Sequence, residues 1–339
     1  MKNGRVWVTW ETQRRSIEMA ETFGCTFYVI DIPGIFRYPR SIVQTVRIFI
    51  AEHPALIFVQ NPSMLLAALA VVYCKAAGIP LVVDRHTTFL IDKPKRFSFK
   101  RSLFLALSRF TLSQADLTLV TNEHLAGLVR EAGGTPFILP DPLPSFSPGH
   151  SFRCNGKGMS VVVPTSYADD EPIENIISAG AILGNEGITF YLTGNDKKLP
   201  ESLRARAGTG CIFTGFLQEQ EYVDLLFSVD AVLVLTTASS TMLCGCYEAV
   251  AAEKPLITSK KPCLVEYFTE ALFVDNSVNE IVTSCRECRD RKEELTEKSR
   301  EMKRTIAQQW SVRHRKLEEE LLRVTMKKDR QSLSENRER

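Results

Sequence analysis

Three short stretches carry the side chains best suited to chemistry. In "VVDRHTTF" an apolar run ends on Asp84, Arg85 and His86. Imidazole is the side chain most easily poised to move a proton near neutral pH, and the alternative for His86 is a satisfied structural histidine. In "TMLCGCYEAVAAEKPLIT" a single acid, Glu248, is expected in the first turn of a small, apolar helix. Its two oxygens can accept from two hydroxyl groups, or it complements the positive end of its own helix. The turn from Thr241 to Gly245 that enters this helix offers backbone N–H groups suited to an anion, unless Ser239, Ser240 or Thr241 caps them. The third stretch, "WVTWETQRRSIEMA", puts Trp10, Glu11, Arg14 and Arg15 between a strand and a helix, where either arginine reaches a site or is a solvated helix charge.

Positioning these residues requires a scaffold, and the patterning specifies one. Runs such as "RVWVTW" (5–10), "TFYVIDI" (26–32), "ALIFVQ" (55–60), "PLVVDRH" (80–86), "LTLVT" (117–121) and "PFILP" (136–140) alternate with segments of helical period. A second series follows with "SVVVPTS" (160–166), "ITFYLTG" (188–194), "CIFTG" (211–215), "AVLVLT" (231–236), "PLIT" (255–258) and "ALFVD" (271–275). Continuously apolar strands separated by helices predict parallel sheets covered on both faces, with ligands at the carboxyl ends of strands. The fold class is therefore α/β, with two doubly wound, Rossmann-like domains facing a cleft. The Pro, Gly and Ser texture near "DPLPSFSPGHSFRCNGKG" separates residues 1–145 from 159–310 by a linker at 146–158, and 311–339 is expected to be a terminal helix with a frayed tail. Gly194-Asn195 and Gly215-Phe216-Leu217 fall at strand ends of the second domain, where a glycine turn either meets a ligand or is ordinary punctuation.

Composition narrows the function classes. The 339 residues are 44% hydrophobic and 24% charged, ordinary for a globular protein and large enough for two cores. The net charge of +2 conceals an asymmetry, since residues 1–150 carry 16 Lys/Arg against 11 Asp/Glu. The apolar run 64–83 is interrupted by Lys75, Gly78 and Pro80, so it is expected to be a buried helix, a turn and a strand instead of a membrane span. Cys244-Gly-Cys246 and Cys285-x-x-Cys288 lack a second half-site for zinc and are read as structural, so no metal and no resident cofactor are expected. The cysteine usage and the lack of a signal peptide point to a cytoplasmic protein. From Lys93 to Arg109 six basic residues occur with no acid, interleaved with Phe97, Phe99 and Phe104 and followed by Phe110. Without any nucleic-acid motif, residues 93–110 are read as a peripheral contact with anionic membrane, or as a plain surface helix.

The segment "FTGFLQEQEYVDLLFSVDAVLVLTT", followed by "GCYEAVAAEKPLIT", resembles the carboxyl-terminal domain of GT-B glycosyltransferases, especially the retaining enzymes of glycosyltransferase family 4. The likeness extends over about residues 5–320, and "PTSYADDEPIENIISA" with "VDRHTTF" is similar to the chitobiosyldiphosphodolichol β-mannosyltransferase type. The resemblance implies transfer of a sugar from a nucleotide diphosphosugar to a glycan or lipid-linked acceptor, with cell-envelope or surface polysaccharide assembly as its setting. It implies that Glu248 accepts from ribose hydroxyls and that Ser240, Thr241 and Gly245 meet the diphosphate. The Gly194-Asn195 and Gly215–Leu217 loops would frame the base, Arg14 would reach the donor, and Asp84, Arg85 and His86 would face acceptor and transferred sugar. The chain departs from the family at two places: Ser240 stands where an acid is expected, and "PTSYADDEP" brings Asp169, Asp170 and Glu171 where a basic pair is usual. Those departures keep two other readings open, a sugar-nucleotide 2-epimerase and a catalytically silent subunit that binds nucleotide sugar.

Overall fold

A computed structural model describes residues 3–61, 63–86, 99–150, 152–154 and 158–338. The chain divides into two compact units, one of residues up to Asp141 together with those from Trp310 onward, the other Pro142–Gln309.

In the first unit six parallel strands lie in the order β2-β1-β3-β4-β5-β6. They are β1 (Asn3–Thr9), β2 (Cys25–Val29), β3 (Pro54–Asn61), β4 (Leu81–Arg85), β5 (Leu117–Val120) and β6 (Pro136–Ile138). Helices α2 (Arg37–Glu52) and α3 (Met64–Ala77) pack Phe49, Leu66, Ala70 and Cys74 on one face against Val8, Val59 and Val83. On the other face α1 (Arg14–Thr22) brings Met19 and Ala20 to Trp7, Phe58 and Val82. The rings of Trp7 and Phe58 stack there at 5.1 Å. Two further helices, α4 (Phe99–Gln114) and α5 (Glu123–Glu131), flank β5.

The second unit is a six-stranded parallel sheet in the order β12-β11-β10-β7-β8-β9. Its strands are β7 (Met159–Val163), β8 (Ile188–Thr193), β9 (Cys211–Gly215), β10 (Ala231–Val234), β11 (Leu256–Ser259) and β12 (Leu272–Val274). This is the mononucleotide-binding arrangement of two βαβαβ halves, whose order reverses between β7 and β10. Runs such as Met159–Val163 and Ala231–Val234 are buried at every position because helices cover both faces. All twelve strands expected from the sequence are present.

Where the sequence leads to a frayed tail, α12 (Lys292–Glu338) is continuous, with no Pro or Gly to interrupt it. Its later turns belong to the first unit, where Leu317 and Leu321 are buried in the α1-side core. Trp310 Nε1 donates to Pro140 O at 3.1 Å, and Arg5 forms a two-pronged ion pair with Glu318 at 2.6 Å. No helix among the described residues is long and apolar enough to cross a membrane.

Candidate functional site

At the carboxyl ends of β7, β8 and β9 three loops close on one another. Gly194, at φ +91°, lies so close to the β7 loop that a Cβ would stand 2.1 Å from Thr165 O. Its N–H donates to Gly215 O at 3.0 Å, and Thr165 Oγ1 donates to Thr193 O at 2.6 Å. Gly194 is thus required by loop packing, and Gly215, with open space around it, by its φ of +71°. The loops and α8 (Glu219–Ser228) enclose a cavity of about 550 Å³ lined by Asn195, Lys198, Phe216, Leu217, Glu219 and Tyr222, among others. Gly194 lines it too, so both loops singled out in the sequence meet at one cavity. Phe216 keeps 76% of its surface exposed while lining it, as an aromatic face available for stacking would.

Glu248 is tied to that cavity by Tyr222, whose hydroxyl donates to Glu248 Oε2 at 2.6 Å. The helix α9 spans Cys244–Ala251, which makes Glu248 its fifth residue and corrects the expected first-turn position. The helix-end field fades within the first turn, so complementing the helix start does not account for this acid. The N-cap is Leu243, whose side chain makes no capping hydrogen bond; the N-cap is none of Ser239, Ser240 and Thr241. Ser240 is 5% exposed, and Thr241 O accepts a weak bond from Cys263 Sγ at 3.7 Å. Gly245 also has a different reason from close approach to an anion. A Cβ there would meet Val234 Cγ2 at 3.0 Å and Pro164 Cγ at 3.4 Å, so it lets α9 seat against β10.

The acids that replace the family's basic pair are engaged by their own loops. Glu171 accepts from Ser166 N at 3.0 Å, Ser166 Oγ at 2.8 Å and Tyr167 N at 2.9 Å. Asp170 accepts from Thr236 Oγ1 at 2.8 Å, while its carbonyl takes the Thr237 N–H at 2.6 Å. Lys198 lines the cavity, and its ammonium donates to Ser166 O at 2.7 Å.

A second cluster lies in the first unit at the end of β4. Arg15 donates from Nε and Nη2 to Asp84, with contacts of 2.8–3.1 Å, from Nη1 to Asp141, and from Nη2 to Leu139 O at 3.1 Å. His86 Nδ1 lies 3.2 Å from the Asp84 carboxylate, which fixes the ring through that nitrogen and leaves Nε2 for another partner. Burial opposes charge on both Arg15 and Asp84, but Asp84 and Asp141 hold the Arg15 pKa above its ordinary value. The same Arg15 charge, with His86, holds the Asp84 carboxyl well below the carboxylate range.

Arg85 does not join this cluster. Strand alternation turns it to the opposite face, where it is 1% exposed and Nη1 donates to Ser108 Oγ of α4 at 2.5 Å. Burial pushes its guanidinium down to about 10. Nor does Arg14, which pairs with Glu18 on its own helix at 2.7 Å. Of the two arginines in "QRRS", Arg15 is the buried one, on the apolar face of α1. Asp141, Tyr222 and Lys198 are the participants that the sequence does not reveal. Cys285 and Cys288 are core residues whose thiols burial pushes up, the latter to about 12. Of the basic-aromatic segment, residues 93–98 and the side chains of 99 and 100 lie outside the described residues; Leu103 and Phe110 of α4 are exposed.

Two family models match the sequence: a glycosyl transferase 4-like domain over residues 6–137 and a glycosyl transferase-like domain over residues 177–321. Sucrose-phosphate synthase from Thermosynechococcus elongatus superposes with a TM-score of 0.70 at 13% identity, covering 93% of this chain and 98% of its own. HepE from Anabaena, solved in complex with UDP, gives 0.71 at 14% identity, with 94% and 99% covered. HepE in complex with UDP-glucose gives 0.69 at the same identity. At these identities the structural likeness speaks for the fold. No curated protein matches the sequence itself. The chain is a glycosyltransferase of GT-B fold, with an amino-terminal domain of the glycosyl transferase 4-like kind and a carboxyl-terminal domain that is glycosyl transferase-like.

Proposed function

We propose that this glycosyltransferase takes its sugar from a nucleotide diphosphosugar held by the second unit and passes it to a glycan or lipid-linked acceptor at the first. The observation that carries the donor assignment is the Tyr222–Glu248 hydrogen bond beside the cavity framed by the Gly194-Asn195 and Phe216-Leu217 loops. In this reading the cavity takes the base, with Phe216 stacking on it, and Glu248 accepts from the ribose hydroxyls. The diphosphate meets the backbone N–H groups at the start of α9. Because HepE was solved with UDP and UDP-glucose, a uridine nucleotide is the first donor to try.

In the first unit, His86 holds the acceptor hydroxyl or the transferred sugar, with Asp84 fixing the ring and Arg15 keeping Asp84 ionised. The apolar and basic residues of α4, including Leu103, Arg109 and Phe110, are in keeping with an anionic membrane surface that carries a lipid-linked acceptor during envelope polysaccharide assembly. Incubation with UDP-, GDP- and dTDP-sugars, followed by chromatography of the products, tests the reading. Hydrolysis or transfer that falls at least about tenfold in Glu248→Gln is expected. Failure of every nucleotide and nucleotide sugar to bind at millimolar concentration would sink it.

A further inference from the structure

The last residues of two adjacent central strands, Asn61 of β3 and Arg85 of β4, are register partners and project to the same face of the first sheet. Each side chain is 1% exposed. Among the described residues, Asn61 Oδ1 and Nδ2, and Arg85 Nε and Nη2, have no hydrogen-bond partner. Buried polar groups are almost always satisfied, so four unmet atoms at one strand end call for an occupant. Position agrees, because the carboxyl ends of central strands are where open α/β sheets receive ligands.

The charge says what kind of occupant. Arg85 makes no ion pair among the described residues, and its chain neighbour Asp84 points to the other face, already engaged by Arg15 and His86. A water molecule would satisfy the Asn61 amide but would leave a buried positive charge uncompensated, which is costly. Nε–H and Nη2–H share one edge of the guanidinium, the fork that takes two oxygens of a carboxylate or phosphate side by side. The remaining nitrogen, Nη1, is fixed by Ser108, which holds the plane of the group. We propose that Asn61 and Arg85 form an oxyanion subsite of the first unit, one that receives a phosphate or carboxylate group. In a transferase this would be an anionic group of the acceptor. The subsite is separate from the His86–Asp84 cluster and stands whether or not the donor reading holds.

The test is thermal unfolding of the full chain with inorganic phosphate, or with acetate, at constant ionic strength. At about ten times the dissociation constant the bound ion should raise Tm by roughly 3–5 °C. Arg85→Met should abolish the shift and Asn61→Leu should reduce it. Saturating UDP, which on the proposed reading fills the second unit, should leave a shift in place. A response to phosphate alone, or to acetate alone, identifies which oxyanion the fork prefers. The proposal is overturned by no response to either ion up to about 50 mM. It is equally overturned by a shift of unchanged size in Arg85→Met, or by one that saturating UDP removes altogether, because the ion would then sit in the second unit. If Arg85→Met fails to fold, a full shift in Asn61→Leu also refutes it.

Discussion

Removing one oxygen from Tyr222 tests the donor site more sharply than removing Glu248 itself. The Tyr222–Glu248 contact of 2.6 Å is in the range of an O–H···O⁻ bond, roughly twice as strong as a neutral one. Tyr222→Phe leaves the ring against the cavity but removes this hydrogen bond from the carboxylate. Loosening a side chain that must be ordered on binding costs about 0.5–1.5 kcal/mol, so UDP should bind roughly 2- to 12-fold more weakly. Glu248→Gln changes more, because hydrogen bonds to a charged partner contribute about 1.5–3 kcal/mol, or roughly 10- to 150-fold. If Tyr222 acts only through Glu248, its effect disappears once Glu248 is replaced, and the double variant binds like Glu248→Gln. Calorimetric titration of UDP into the four proteins measures this cycle, with a coupling of about 0.5–1.5 kcal/mol expected. Two results would refute the reasoning: unchanged binding in Glu248→Gln, or a Tyr222→Phe loss of equal size in both backgrounds. The second would mean that Tyr222 touches the ligand on its own account.

Three other perturbations follow from contacts in the two units. Gly194→Ala would force a Cβ against Thr165 O at a backbone conformation of φ +91°, so scanning calorimetry should show a loss of about 2–5 kcal/mol together with weaker UDP binding. Asp84→Asn leaves buried Arg15 with Asp141 as its remaining carboxylate and should cost about 3–5 kcal/mol in urea unfolding at pH 7. Folding holds the Asp84 pKa low, so the unfolded chain takes up the proton first; the wild type should lose stability as pH falls below about 4, and the variant should lack that contribution. Ending the chain at Gln309 removes buried Leu317 and Leu321 and the Arg5–Glu318 pair. At about 1.5–3 kcal/mol per leucine, the first unit should lose most of its margin and become the first segment cut in limited proteolysis.

Strand and helix periodicity made both sheets legible, since each strand is a short apolar run that packing on two faces demands. The loops at Gly194-Asn195 and Phe216-Leu217 were legible for the same reason: they are strand ends, and a doubly wound sheet collects its strand ends on one edge. Glu248 stood out as the lone acid in an apolar helix, but its register within α9 depended on where the helix began, and Leu243 as N-cap carries no sequence signal. Arg85 was misjudged because adjacency in sequence suggested a trio, whereas a strand sends neighbours to opposite faces. The terminal helix was expected, but its anchoring in the first unit was not legible, for a different reason. Its anchors Trp310, Leu317 and Leu321 are few and widely spaced in a charged stretch, and the core that receives them is built from the other end of the chain.

The acidic loop after β7 is the departure with the most consequence for the donor site. In a mononucleotide-binding sheet the first strand-to-helix turn is a natural place for phosphate, because its amides point outward. Here the amides of Ser166 and Tyr167 are already satisfied by Glu171, a carboxylate held in place by its own chain. Another anion placed against them would meet like charge. On the proposed reading, the diphosphate is therefore displaced toward the start of α9, where the nearby strand loop is held by Asp170 through Thr236 and Thr237. The replacement of basic residues by Asp170 and Glu171 then follows from one change. Once the β7 loop is closed by its own acids, a cation there would neutralise Glu171 instead of the donor, and on the proposed reading the donor charge is met by helix amides and by Lys198, which lines the cavity.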